Sequence, residues 1–469
     1  MNQHLSRRNL VRLLGGAAAT GLLPTPARAA WAPNDRKKTN MIVRSQRPMD
    51  LEMPLDGFLE QWTPVERFFT RSHHYEAKVD LSTWHLEVGG TVARPQKLTF
   101  EAIQKMPKVD MPAVLECAGN GRAFYEPSMP GIQWEHGAVG NAKWAGVRLA
   151  DVLNLAGVQE KSVEVVFDGA DTPVGTMPEF QRSMPIGKAM DPDTILAYEM
   201  NGEPLPTLHG FPLRLIVPGW AGDCWVKWLT RIDVLRAPFE GFFMKTAYRH
   251  PGHAVKPGSA VDPALMEPVT RLSPKSVIAT PLDGTETEVG KPLVVKGVAW
   301  TGGDSRINAV DLTFNGGMTW VQPQPGPYLN QYAWRSWQYT YTPQEEGYLR
   351  IGARATDGAG FVQPFVPAWN PSGYLWNVVH MIGVNVVKQP AAAAISKAPE
   401  AKRRGESPAI YRSNCIGCHE DDVITQQRLS RGQWEKEVEK MGRWGSKFKP
   451  TDKDAIVDYL ASEFPYKRR

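Results

Sequence analysis

A chain of 469 residues with 42% hydrophobic content and only four cysteines can bury several cores without staples, which excludes a disulfide-framed mini-protein and a disordered chain. Its net charge of +5 is spread along the sequence and not gathered in one arm, so nucleic acid is not an indicated partner while small anions are compatible ligands. Sixteen Trp, 39 Pro and 42 Gly point to turn-rich β structure anchored by large aromatic rings.

Residues 1–30 read as an address and not as part of the fold. Ser6-Arg7-Arg8-Asn9-Leu10-Val11 is a twin-arginine motif, a mildly apolar run follows to Leu23, and Ala27-Arg28-Ala29 supplies a small-residue cleavage pattern. The apolar run falls short of the ~20 residues that a membrane span needs, and no later segment reaches that length. The expectation is a cleaved signal peptide and delivery to the periplasm by the twin-arginine route. That route carries folded proteins, which implies a cofactor inserted before export.

Residues 45–265 mix short apolar strands such as "SVEVVFDG" (162–169) and "PLRLIVPG" (212–219) with helical pieces such as "LADVLNLAG" (149–157), an α+β pattern. From 275 to 388 the texture changes to alternating β-branched and aromatic strands, including "KPLVVKGVAW" and "GYLRIGARATDGAG". With a hairpin expected at Asn315-Gly316-Gly317, this reads as an immunoglobulin-like β-sandwich. Residues 389–407 are small, Pro-punctuated and basic, a linker. Residues 408–469 read as all-α. Ser430 with Gln433 forms a capping box ahead of Trp434, Val438 and Met441, and Thr451 is expected to cap a last helix with Ile456, Tyr459 and Leu460 on one face.

Within that tail, "SNCIGCHE" (413–420) carries Cys-x-x-Cys-His. Cys415 and Cys418 are spaced to form thioethers with haem vinyl groups, and His419 to bind the iron. A zinc site would need a second Cys/His pair and a thioredoxin-like motif would need βαβ context, and neither is present. After His419 the sequence has no other His and a single Met, so elimination makes Met441 the second axial ligand, which raises the reduction potential. The segment resembles the small monohaem cytochromes c in its Cys-x-x-Cys-His, its later Met and its closing helix.

In the body, Cys117 lies in "LECAGNGRAF" (115–124). Ala118, Gly119 and Gly121 leave the backbone open to close approach by a bulky group, and Arg122 adds a fixed cation. Such a loop suits a soft or high-valent metal, although a free Cys is more often a small buried hydrophobe. "RFFTRSHHYE" (67–76) and "HGFPLRLIVPGWAGDCWVKWLTRIDV" (209–234) add loop-borne Arg, His and Lys of the kind that bind phosphates and oxyanions.

These segments, together with "GIQWEHGAVGNAKWAGVRLADVL" (131–153), "ILAYEMNGEPLPTLHGFPLRLIVPGW" (195–220), "DLTFNGGMTW" and "WNPSGY", give residues 45–388 a specific resemblance to the sulfite oxidase family of molybdenum enzymes. The resemblance implies a molybdopterin domain followed by a dimerisation-type sandwich, with a homodimer the preferred assembly. It implies Cys117 as the protein ligand to molybdenum. His73, Asp171, His209, Arg214 and Trp225-Val226-Lys227 are implied as molybdopterin-binding positions. Arg71, Arg122 and Tyr248 are implied as the substrate pocket, with Trp134 lining it and Arg306 completing it from the sandwich. Ser72, Gly121 and Ala247 depart from residues common in relatives. The expected activity is oxidation of sulfite, or a related small sulfur oxyanion, to sulfate, with electrons leaving through the haem to a soluble cytochrome c or another periplasmic acceptor. A sulfane dehydrogenase of thiosulfate oxidation and a non-catalytic haem electron carrier are the competing readings.

Overall fold

The computed structural model describes residues 31–303, 305–389 and 407–466. The expected signal peptide and nearly all of the expected linker lie outside the described residues. No helix among the described residues is long and apolar enough to cross a membrane.

The body is built on two five-stranded sheets. In the first, strands Glu203–Pro204, Ile195–Met200, Val139–Arg148 and Lys108–Glu116 follow one another in antiparallel order, and Arg214–Ile216 also pairs with Ile195–Met200. Buried Val114, Val139, Trp144, Leu196 and Leu215 give this sheet an apolar interior. The second sheet runs Gln96–Leu98, Leu86–Gly90, Leu229–Leu235, Glu164–Gly169, Arg182–Pro185. Only the pairing of Leu229–Leu235 with Leu86–Gly90 is parallel. Helix Leu149–Ala156 ends at Gly157, whose φ of +72° is the left-handed cap that favours glycine. The stretch read as a strand over 162–169 begins two residues later, because the Ser162 hydroxyl donates to the Gln159 carbonyl in a local turn.

Two four-stranded sheets form the sandwich. Lys275–Thr280, Leu293–Trp300, Arg335–Tyr341 and Gln324–Pro325 make one, and Thr285–Glu288, His380–Val387, Gly347–Asp357 and Ile307–Thr313 the other. Ile278, Val295, Trp337, Ile351, Ala353, Ile382 and Val384 fill the space between them. The Asn315 turn differs from the expected hairpin. Strand Ile307–Thr313 pairs with Gly347–Asp357, and the chain leaving the turn returns only as a single bridge between Leu312 and Val321. The Asn315 side chain instead closes the turn on itself, accepting from the Thr319 amide at 2.9 Å.

The tail folds around Tyr411, Ile424, Leu429, Trp434, Val438, Ile456, Leu460 and Phe464. Helix Arg431–Arg443 opens with the expected capping box from Ser430 and Gln433. The last helix, Lys453–Glu463, does not start from a Thr451 cap. Thr451 lies inside a 3₁₀ turn, Pro450–Asp452, that precedes it, and Asp452 occupies the cap position.

Body and sandwich share one core in which Phe58, Val114, Val139 and Phe243 meet Val277, Val298 and Trp300. At its centre is Glu116, the last residue of its strand. It forms a buried ion pair with Lys275 of the sandwich, accepts from the Trp300 indole at 2.7 Å, and accepts from Asn120 at 2.9 Å. Removing such a carboxylate strands a buried ammonium and two donors. Glu116→Ala is expected to lower unfolding stability by about 3–5 kcal/mol, read from denaturant midpoints; a loss under about 1 kcal/mol would mean that the pair behaves as a surface bridge.

Candidate functional site

Glu116 ends its strand beside the sandwich, and the next residue, Cys117, turns into the body. The Cys117 amide donates to Ala138 O at 2.9 Å, and its carbonyl accepts from Asn120 N at 2.9 Å, closing a tight turn. A Cβ at Gly119 would lie 2.5 Å from the Arg122 guanidinium, and one at Gly121, where φ is +87°, would lie 2.5 Å from the Trp376 indole. The glycines therefore admit this chain's own Arg and Trp, a different role from the open approach expected of them.

The Cys117 thiol is buried, which pushes its pKa up, while Arg71 and Arg122 oppose that shift and favour the thiolate. Burial pulls Arg71 down, but the Asp50 carboxylate at 3.3 Å, with Tyr248 and Cys117, outweighs it and keeps the guanidinium fully charged. Asp50 is pushed up to about 6 by burial, against the pull of Arg71. Arg122 reaches the Ile132 carbonyl at 3.0 Å and lies over the Tyr374 ring at 5.2 Å. Tyr248 sits with φ at +53°, a left-handed conformation costly for an aromatic residue, and its hydroxyl meets His73 Nε2 at 2.8 Å. Burial holds the Tyr248 phenol protonated, and burial with Arg71 and other cations keeps His73 neutral.

A cavity of about 70 Å³ adjoins Cys117 and is lined by Arg71, His73, Asp171, His209, Arg214, Asp223, Trp225 and Lys227. Its cations are held mainly by neutral oxygens. Arg214 donates to the carbonyls of His209 and Trp225 at 3.0 and 3.2 Å, and Lys227 to Ser72 Oγ and Leu208 O at 2.8 and 3.1 Å. Burial alone pulls Arg214 down to about 9; burial and Arg214 pull Lys227 down to about 7, opposed by Asp171. Buried cations lowered in this way await an anion. The Arg214 Nε is moreover a buried donor with no partner. These residues fit an anionic, phosphate-bearing cofactor. Val226 does not line the cavity; it is buried, and its carbonyl accepts from Leu215 N at 2.8 Å, which fixes the backbone between Trp225 and Lys227.

A second cavity, of about 410 Å³, also reaches Cys117 and shares Arg71, His73 and Tyr248 with the first. Arg71, His73, Arg122, Trp134 and Tyr248 line its inner end, and Cys415, Cys418, His419 and Met441 its outer end. The Trp134 indole N–H is buried without a partner. In the tail, His419 Nδ1 lies 2.9 Å from Glu420 O; as the N–H donor there it leaves the Nε2 lone pair free for a metal. Val423, Ile424, Trp434, Val438, Phe448 and Leu460 give the outer end apolar walls suited to a porphyrin. Among the described residues no three His, Cys, Asp or Glu side chains gather as a metal site. Metals held by Cys117 or His419 would thus draw most donors from outside the chain, as dithiolene and porphyrin supply them.

Arg306 is a correction. It is exposed, stacks over the Tyr328 ring at 5.8 Å and lines neither cavity. Arg306 lies just before the strand Ile307–Thr313, and its neighbours Ser305 and Ile307 are the residues buried there. The third buried guanidinium near the pocket belongs to Arg182, which sequence reasoning missed. Arg182 pairs with Asp223 at 2.7 Å, both side chains 1% exposed, and lies over the Tyr248 ring at 5.5 Å. Lys38 is the other omission; it meets His209 Nε2 at 2.8 Å and burial pulls it down to about 7. No motif marks either residue, since each acts through partners distant in sequence.

The architecture and the basic cradle around Cys117 define a molybdopterin-binding oxidoreductase. Residues 73–243 match the oxidoreductase molybdopterin binding domain, and residues 267–387 the Mo-co oxidoreductase dimerisation domain. The chain is 36% identical over 380 residues to mitochondrial sulfite oxidase of Rattus norvegicus, covering 78% of this chain and 69% of the relative. It is 34% identical over 369 residues to sulfite oxidase of Gallus gallus, covering 76% and 80%. The solved structure of the sulfane dehydrogenase SoxCD from Paracoccus pantotrophus matches with a TM-score of 0.62 and 26% identity, over 76% of this chain and 91% of that one. The chain belongs to the sulfite oxidase family of molybdopterin enzymes.

The lowered lysines give a pH test. Between a folded pKa of about 7 for Lys38 and Lys227 and an unfolded value near ~10.4, the unfolded chain binds more protons, so stability rises with pH. Cofactor-free protein is expected to melt at higher temperature at about pH 9 than at about pH 7. Cofactor anions beside Lys227 raise its pKa and flatten that slope in loaded protein. Parallel pH slopes for the two forms would contradict the assignment.

Proposed function

We propose that this protein oxidises sulfite to sulfate at a molybdenum centre bound through Cys117. Electrons then leave through a c-type haem on Cys415 and Cys418, ligated by His419 and Met441, to a soluble cytochrome c or another periplasmic acceptor. The observation that carries this reading is the single cavity lined by Cys117, Arg71 and Tyr248 at one end and by Cys415, Cys418, His419 and Met441 at the other. Export by the twin-arginine motif to the periplasm belongs to the same proposal and is supported by residues 1–30. A homodimer through the sandwich is supported by the match to a dimerisation domain.

When bound, the molybdenum cofactor supplies oxygen transfer with two-electron capacity, and the haem accepts electrons singly. Sulfite gains one oxygen from water and gives up two electrons, and the water releases its two protons. Arg71 and Arg122 hold the dianion without competing as proton donors, because guanidinium does not deprotonate in the working range. Tyr248, protonated throughout, donates its O–H to a substrate oxygen or to neutral His73. Trp134 and Tyr374 wall the pocket, and Trp134 adds its unpaired N–H as a further donor. The Asp50 carboxylate, which shares the cavity lining with Arg71, holds that guanidinium, and the Arg182–Asp223 pair backs Tyr248.

The likeness to a sulfane dehydrogenase makes protein-bound sulfur the second reading. The tail roofs the pocket with Gln427, Trp434 and Met441, which suits a small free anion better than a sulfur carried on a protein arm. On adding sulfite to the purified protein, haem absorbance should shift to the reduced form, and Cys117→Ser should abolish the shift. Reduction unaffected by Cys117→Ser, or a preparation without molybdenum, would overturn the proposal. Met441→Ala is expected to lower the haem potential by about 100 mV or more, on the scale over which axial ligands tune it; an unchanged potential rejects that ligand.

A further inference from the structure

The tail does more than roof the cavity. Residues 126–133 join the Arg122 turn to Trp134 and supply Pro130, Gly131 and Ile132 to the cavity lining. Tail side chains meet this loop at four points. Gln427 Oε1 accepts from Gly131 N at 3.0 Å, Gln426 Oε1 accepts from Gln133 N at 2.8 Å, Gln433 Nε2 donates to Ser128 O at 2.8 Å, and the Tyr466 hydroxyl donates to Glu126 Oε2 at 2.8 Å. The glutamines are themselves anchored. Gln427 is 4% exposed and donates to Val423 O at 2.9 Å; Gln426 donates to Asp422 O at 2.9 Å and across to Arg44 O of the body at 2.7 Å.

The peptide joining Ile132 to Gln133 is gripped from both sides. Its carbonyl accepts from Arg122 Nη1 at 3.0 Å, and its N–H donates to Gln426. In a trans peptide these two groups point in opposite directions, so the plane is fixed between the tail and the guanidinium, and the two bonds polarise each other. Gly131, at a φ of +109°, comes so near that an added Cβ would sit 3.1 Å from Arg122 Nη1. The position of Arg122 thus depends on the loop, and the position of the loop on the tail.

We infer that Gln426 and Gln427 are positioning residues of the substrate pocket, through which the docked tail sets the Arg122 guanidinium for its anion. The inference rests on the reading of that pocket as the sulfite site. A tail that leaves the body takes both acceptors with it and frees the loop, so anion affinity and electron outlet are coupled through one contact.

The test uses the full-length loaded enzyme with a small one-electron oxidant. Gln426→Ala combined with Gln427→Ala should raise KM for sulfite roughly tenfold, the loss of about two neutral hydrogen bonds, with a smaller change in kcat. Gln426→Ala alone, which keeps the Gln427 acceptor on Gly131 N, should raise KM by less than the double variant. Amide exchange over residues 129–134 should accelerate in the double variant, while the remote tail variant Lys453→Ala changes neither readout. An unmoved KM with accelerated exchange, or a KM that moves only as haem is lost, would overturn the inference. If the wild-type enzyme does not oxidise sulfite, the functional reading fails separately, and exchange decides the clamp: unchanged protection of the Gly131 and Gln133 amides would refute it.

Discussion

The site is organised by a surplus of buried positive charge. Arg71 and Arg182 have carboxylate partners, but Arg122 and Arg214 are held by carbonyl oxygens and Lys227 chiefly by a hydroxyl and a carbonyl. Burying an ion costs several kcal/mol, and neutral dipoles recover only part of that. A fold that keeps such charges together needs anions, and the two cavities beside Cys117 are where they fit. The inner one suits a phosphate-bearing cofactor and the outer one a small dianion. The rest of the body serves this arrangement: Asp50 aims Arg71, the glycines of the Cys117 turn admit Arg122 and Trp376, and the strained Tyr248 faces His73.

The same economy explains how three architectures share one function. Glu116 locks the Cys117 turn to the sandwich through Lys275 and Trp300, so the loop proposed to bind the metal is fixed by a domain whose own expected site residue, Arg306, lines neither cavity. On the opposite side, the tail covers the outer cavity and holds the loop that orients Arg122. Tyr75 donates to Cys418 O at 2.9 Å, and Thr176 meets the Arg443 and Trp444 carbonyls at 3.2 Å, which seats the haem motif against the body. The Cys-x-x-Cys-His segment and Cys117 line one shared cavity, as the proposed one-electron outlet requires.

Local signals in the sequence carried much of this. The alternation over 293–300 and 347–357, the Ser430–Gln433 box and the Cys-x-x-Cys-His motif are each written within a few neighbouring residues. Ordered motifs also placed Cys117, Arg71, His73, Arg122, His209, Arg214, Lys227 and Tyr248 around two adjoining cavities. What sequence reading missed depends on pairs far apart in the chain. Arg182 and Asp223 are 41 positions apart, Lys38 and His209 171, and Gln427 and Gly131 296. Arg306 failed for another reason: it lies just before the strand Ile307–Thr313, and its side chain is exposed.

The most direct test of the central claim, a proposed molybdenum pocket and haem lining one shared cavity, is rapid anaerobic mixing of the full-length enzyme with excess sulfite. Haem reduction followed optically at several protein concentrations and solvent viscosities is expected to be first-order, independent of both, and to reach one haem per molybdenum. A rate that falls with viscosity would mean that the tail must travel to collect its electron. A haem that stays oxidised would contradict the account altogether.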